Sequence, residues 1–91
     1  MKFLLVNTNS AVKKIFIIAA RKADISLDFI TSINEISIQE DYSCIFIDDG
    51  VLNTGDFASI KNKMIDTKFC LIISKDSEIV DGFDEYIRKP F

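Results

Sequence analysis

The sequence predicts an α/β fold, a doubly wound parallel sheet of five strands in one domain spanning residues 1–91, and three observations carry that expectation. Short, continuous apolar runs, among them Phe3-Leu4-Leu5-Val6, Cys44-Ile45-Phe46-Ile47 and Phe69-Cys70-Leu71-Ile72-Ile73, suit strands buried on both faces of a sheet. Stretches with helical spacing alternate with these runs, and strands alternating with helices imply right-handed crossovers onto parallel neighbours. The runs also stop abruptly at polar residues, Asn7-Thr8-Asn9-Ser10, Asp48-Asp49 and Ser74-Lys75-Asp76, as strands entering loops do.

The first strand is Phe3 to Val6. Ser10 is the expected cap of a helix running to about Asp24, with Val12, Ile15, Phe16, Ala19 and Ala23 as its core stripe. Ile17 and Ile18 fall outside that stripe, so this helix is apolar over more of its circumference than one sheet face requires. Residues 26–30 form a second strand. Ser32 to Glu35 has the pattern of a capping box and predicts a helix of about two turns ending before Tyr42.

The central strand, Cys44 to Ile47, ends in two acids, Asp48 and Asp49. Carboxylates at the C-terminal end of such a strand face the crevice where open α/β sheets hold ligands. The loop from Gly50 to Gly55 leads to Asp56, read as the cap of a helix that carries Phe57, Ile60, Met64 and Ile65 inward. A fourth strand ends at Ser74, a segment with room for barely two helical turns follows, and a last strand begins near Tyr86. The natural closure of this order is a flavodoxin-like sheet, 2-1-3-4-5.

Composition narrows the function. A net charge of −3 with no basic run argues against nucleic acid, which draws on clustered Lys and Arg. There is no His, and the two cysteines, Cys44 and Cys70, sit inside apolar runs, so they read as small buried hydrophobes in a reduced compartment rather than zinc ligands. No stretch has the length of a membrane span or a signal-peptide core, which places the expected location in the cytoplasm and predicts no membrane partner. The first strand-to-helix turn contains no glycine, so neither a dinucleotide fingerprint nor a P-loop is present, and no enzymatic activity is expected.

Three polar groups converge at the C-terminal edge of the expected sheet: Asp48 after the third strand, Ser74 after the fourth and Lys89 after the fifth. A carboxylate, a hydroxyl and an ammonium in that arrangement can handle one phosphoryl group. With these residues, and with the ending Gly82-Phe83-Asp84-Glu85-Tyr86-Ile87-Arg88-Lys89-Pro90-Phe91, the chain resembles the receiver domain of bacterial two-component response regulators. The resemblance implies that Asp48 is the phosphoacceptor, Ser74 the hydroxyl that senses the phosphate, Lys89 its counter-charge and Tyr86 the switch aromatic. It also implies a histidine kinase or small phosphodonor as partner and Mg²⁺ as cofactor.

The chain departs from that family in two respects. Where receivers carry an acidic pair after the first strand to hold Mg²⁺, this sequence has Asn7 and Thr8, so only a weak magnesium site at Asp48 and Asp49 is expected. Successive strand residues point to opposite sides, so Asp49 can join Asp48 only if the strand has already ended there. The second departure is architectural: the fourth helix is shortened and no final helix follows Phe91. That would leave part of one sheet face, with Ile17 and Ile18, uncovered, and an uncovered apolar patch marks an interaction surface. Either a protein partner or a homodimer is therefore expected to supply the cover, or the sequence is part of a longer chain. Two functions follow, a phosphorelay receiver acting through Asp48 and, as the alternative, a pseudo-receiver serving as a phosphorylation-independent binding or dimerisation module.

Overall fold

The computed structural model describes residues 1–74 and 76–89. Five parallel strands, β1 (Lys2–Val6), β2 (Ser26–Ile30), β3 (Cys44–Asp48), β4 (Lys68–Ile73) and β5 (Glu85–Arg88), form one sheet in the order β2-β1-β3-β4-β5. The register pairs Leu5 with both Phe29 and Phe46, Asp48 with Ile72, and Ile73 with Arg88, so the strand ends that carry the polar residues lie along one edge. This is the doubly wound order that the sequence predicts.

Helix α1 (Ser10–Ala23) covers one face and helix α2 (Thr54–Lys63) the other. Both are capped by a residue that precedes the expected one. Asn9, not Ser10, closes the start of α1, its side-chain oxygen accepting the N–H groups of Ala11 at 2.9 Å and Val12 at 3.2 Å. Asn53, not Asp56, does the same for α2, accepting the Asp56 N–H at 3.0 Å. A cap must hold an extended backbone while its side chain reaches two or three residues ahead, and both asparagines do so.

The capping-box pattern at Ser32 does not start an α-helix. Its hydroxyl donates to Asn34 Oδ1 and Glu35 accepts from the Thr31 hydroxyl, so neither side chain bonds the backbone donors that a cap would satisfy. One 3₁₀ turn, Ile33–Glu35, forms instead, and Ile36 is already extended. Between β4 and β5 the shortened helix is reduced to turns among the described residues, opened by the Ser77 N–H donating to the Ser74 carbonyl at 3.1 Å. The last of these turns uses Gly82 at a φ of 105°, a conformation that side chains rarely adopt.

The α2 face holds the main core: Leu4, Val6, Ile45, Ile47, Phe69, Leu71 and Ile73 from the sheet, closed by Ile33, Phe57 and Phe83. Phe57 and Phe83 stack with centroids 4.1 Å apart. Ile60 and Met64 pack here as predicted, but Ile65 is 83% exposed, because α2 stops at Lys63 and Met64 leaves the helical conformation. Tyr42 is buried against this face with its hydroxyl donating to Asp28 at 2.8 Å, and burial pushes its phenol up to about 12.

The α1 face is thinner. Leu5, Val12 and Ile72 are its buried cluster, with Phe16, Leu27, Phe29 and Phe46 partly buried around them. The predicted core stripe of α1 is only half realised: Val12 and Phe16 face the sheet, whereas Ile15 is 41% exposed and Ala19 and Ala23 line a groove. Ile18 is exposed, and Ile17 is half-buried on the β2 flank of the helix. Cys70 is buried and Cys44 half-buried, both free thiols, with burial raising them to about 12 and about 11. No helix among the described residues is long and apolar enough to cross a membrane.

Candidate functional site at the C-terminal edge of the sheet

Asp48 is the last residue of β3 and the cap of a 3₁₀ turn, Asp49–Val51. Placed in the middle of the sheet with the polar ends of β1 and β4 on either side, it is 4% exposed. Its Oδ1 accepts the Gly50 N–H at 3.0 Å and the Lys89 ammonium at 3.1 Å. Its Oδ2 is buried with no hydrogen-bond partner among the described residues. Lys89 reaches it because the strand hydrogen bonding continues one residue past β5, with the Lys89 N–H donating to the Ile73 carbonyl at 2.8 Å. Asp48 and Lys89, placed at one edge by their strand ends, thus form an ion pair.

Asp49 takes a different route. Because β3 ends at Asp48, the chain turns and the Asp49 side chain swings toward the end of β4. There its carboxylate accepts the Ser74 N–H at 2.9 Å and the Ser74 hydroxyl at 3.2 Å. Partial burial pushes this carboxyl up, but the two bonds from Ser74, aided by the Ser77 hydroxyl, outweigh it and hold the group below the usual carboxylate range. The structure thus brings Ser74 to Asp49 rather than to Asp48.

The remaining residues of the predicted site lie around this pair. Asn7 is buried at the end of β1, its amide donating to the Asn9 carbonyl at 2.8 Å, while Thr8 is exposed. A crevice of about 290 Å³ beside them is lined by Asn7, Thr8, Lys13 and Phe29 and lies on the β1–β2 side, away from Asp48. Tyr86 is on the α2 side of β5, 37% exposed, with its hydroxyl donating to the Val80 carbonyl at 2.8 Å and its ring against Phe83. Pro90 and Phe91, part of the ending that resembles receivers, lie outside the described residues.

Sequence reasoning missed Arg88. Its guanidinium donates to the carbonyls of Ser74 at 3.2 Å and Ser77 at 3.1 Å, tying the loop after β4 to β5. An arginine in a short strand, beside Lys89, gives no sign of this in the sequence. The loop it holds is the one that presents Ser74 to Asp49.

Magnesium demands near-octahedral oxygen ligands and is usually held by more than one carboxylate. Here Asp48 offers one unpartnered oxygen, both Asp49 oxygens are engaged by Ser74, and the described residues contain no cluster of three or more acidic, His or Cys side chains. The residues present do not fit a resident Mg²⁺, and what they can do is hold a buried carboxylate against an ammonium beside a second, hydrogen-bonded carboxylate.

A doubly wound sheet with its polar groups gathered at the end of the central strand defines the class, and comparison with solved structures agrees. The crystal structure of a response regulator receiver protein from Burkholderia phymatum is similar over 99% of this chain and 83% of that one, with a TM-score of 0.76 and 18% sequence identity. The fold of this chain is therefore that of a receiver domain. No protein-family model matches the sequence, and no curated protein matches it.

Proposed function

We propose that this chain is a receiver-like signal-transduction domain working as a pseudo-receiver, a cytoplasmic, non-enzymatic protein-binding module whose state is not set by phosphate on Asp48. The observation that carries this reading is the engagement of Ser74: both of its donors, N–H and hydroxyl, already bond the Asp49 carboxylate. A phosphoryl group on Asp48 would need such a donor and would meet the Asp49 charge next to it. Asn7 and Thr8 supply no carboxylate with which a divalent cation could offset that repulsion.

A second reading rests on Asp48 itself. Its buried Oδ2 has no hydrogen-bond partner among the described residues and its Oδ1 is held by Lys89, as a nucleophile awaiting a phosphoryl group would be. In that reading Asp48 attacks the phosphorus of a phosphohistidine or an acyl phosphate, and the donor leaves with the electron pair of the bond that breaks. Intact mass after incubation with acetyl phosphate, with and without Mg²⁺ and with Asp48→Asn as control, separates the two. The pseudo-receiver reading expects no adduct under conditions that modify an ordinary receiver. A Mg²⁺-dependent adduct that is absent from Asp48→Asn overturns it in favour of the phosphorelay.

A further inference from the structure

Parallel sheets have both faces covered, because each strand is apolar on both sides. Among the described residues the α1 face carries one helix, lying over the β1–β2 half, and a groove runs beside it. Two cavities that share Phe3 and Phe46 make up the groove: one of about 180 Å³ under Phe16, Ala19 and Ala23, and one of about 530 Å³ that opens toward Cys44 at the N-terminal edge of the sheet. At that edge its rim carries three exposed acids, Asp41, Asp66 and Glu85, and one cation, Lys68.

The side of α1 that borders the groove follows from its ring contacts. Lys13 lies over the Phe29 ring on β2 at 4.7 Å, and Phe16 meets Phe46 on β3 with centroids 5.0 Å apart. At 3.6 residues per turn, Ile15, Ile18 and Lys22 then share a stripe that runs from the crest of the helix down its β3 flank. Ile15 is 41% and Ile18 55% exposed. From Ser10 to Ala23 the helix bears Lys13, Lys14, Arg21 and Lys22 and no acid, with Arg21 and Lys22 in its last turn. As the crossover between parallel strands, α1 runs opposite to them, so its basic C-terminal end lies at the same edge of the sheet as the acidic rim.

We infer that a second copy of this chain covers the groove, in an isologous dimer whose two-fold axis runs parallel to the strands. That rotation sets the α1 of each copy over the open groove of the other and keeps the two ends of the sheet in register. Ile18 at the crest enters the partner groove toward its Phe46. The Ile15 flanks meet across the axis, and Arg21 and Lys22 face Asp41, Asp66 and Glu85. One face of one chain thus supplies both the apolar ridge and the groove, with opposite charge at the matching end. The inference rests on the fold and this face alone, so it stands or falls independently of phosphate chemistry at Asp48.

Sedimentation equilibrium of the full chain from micromolar to millimolar concentration tests it. A dimer is expected. Ile18→Asp should raise its dissociation constant by about tenfold or more, since it removes a buried aliphatic side chain twice over. Lys22→Glu and Glu85→Lys should each weaken the dimer by about tenfold, and the two together should restore it. Circular dichroism of each variant should match the parent, because all three side chains are on the surface. A monomer throughout overturns the inference and leaves the face to a segment other than a second copy of residues 1–91. A dimer indifferent to Ile18→Asp, or a charge swap that fails to restore, overturns it equally.

Discussion

The two faces of the sheet are built from similar strand sequences and are closed to very different degrees. On the α2 face thirteen described residues form a buried cluster, whereas the α1 face has three, although each strand contributes alternate residues to both sides. The difference lies in the crossovers. The α2 face receives α2, the Ile33–Glu35 turn and the loop carrying Val80 and Phe83, while the α1 face receives α1 alone among the described elements. Burial is thus set by what the connections bring over the strands and not by how apolar the strands are.

The largest expected effect separates the faces directly. Phe69→Ala on the closed face removes a ring 1% exposed and should cost about 3–5 kcal/mol. Phe46→Ala on the open face, where the ring is already partly exposed, should cost less than half of that, about 1–2 kcal/mol. Urea unfolding of the two variants at dilutions where the chain is monomeric checks the contrast, and equal losses there would mean that a single copy closes both faces alike.

Lys89→Ala tests the polar edge that both faces share. It leaves the Asp48 carboxylate buried without its cation, and should destabilise the chain by about 2 kcal/mol, less than a fully buried pair because the lysine side chain keeps 24% exposure. An unchanged urea midpoint would show that the pair contributes nothing to the fold. Ser74→Ala should cost less, about 1 kcal/mol, by removing a partly exposed hydroxyl bond to Asp49 while the backbone bond remains.

pH gives the smallest and most graded comparison. Tyr42, Cys44 and Cys70 are all raised by burial, so the folded state favours their neutral forms. Their stability contribution is complete below the unfolded values and is lost as pH rises through about 9 to 12. Asp49 is shifted the other way: it contributes above the ordinary carboxylate range, and that contribution is lost as pH falls through its lowered value. A thermal midpoint followed against pH should therefore fall at the alkaline end in the parent. Asp49→Asn should flatten the acid limb and leave the alkaline one unchanged.

Most of the scaffold was legible in the sequence because its signals are local. Apolar runs of strand length and the alternation with helical spacing sufficed for five strands, their order and the gathering of Asp48, Ser74 and Lys89 at one edge. The pairing of Lys89 with Asp48 could also be read, since a buried acid needs a partner and the lysine side chain is long enough to reach it from the strand end beyond β4. The caps were misread by one to three residues, because serine, asparagine and aspartate compete for that role with the same short polar side chain. At Ser32 the pattern was right and the helix absent, since the hydroxyl bonded Asn34 instead of the backbone.

What the tertiary structure alone decided are the partners of Asp49 and the exposure of α1. The sequence left Asp49 conditional on where β3 stops, since one residue more of strand would point it to the other face. The strand stops at Asp48, and the turn that follows gives the carboxylate to Ser74. Likewise the spacing of α1 marks it as apolar on several sides without saying which side the sheet takes. That depends on which strand lies beneath it and on what other connection reaches the same face. The sequence by itself therefore determined the strands, their order and the charges at their ends, all properties of neighbouring residues. Only packing decided which carboxylate meets which donor and which apolar side is left to solvent, because both depend on directions fixed between segments far apart in the chain.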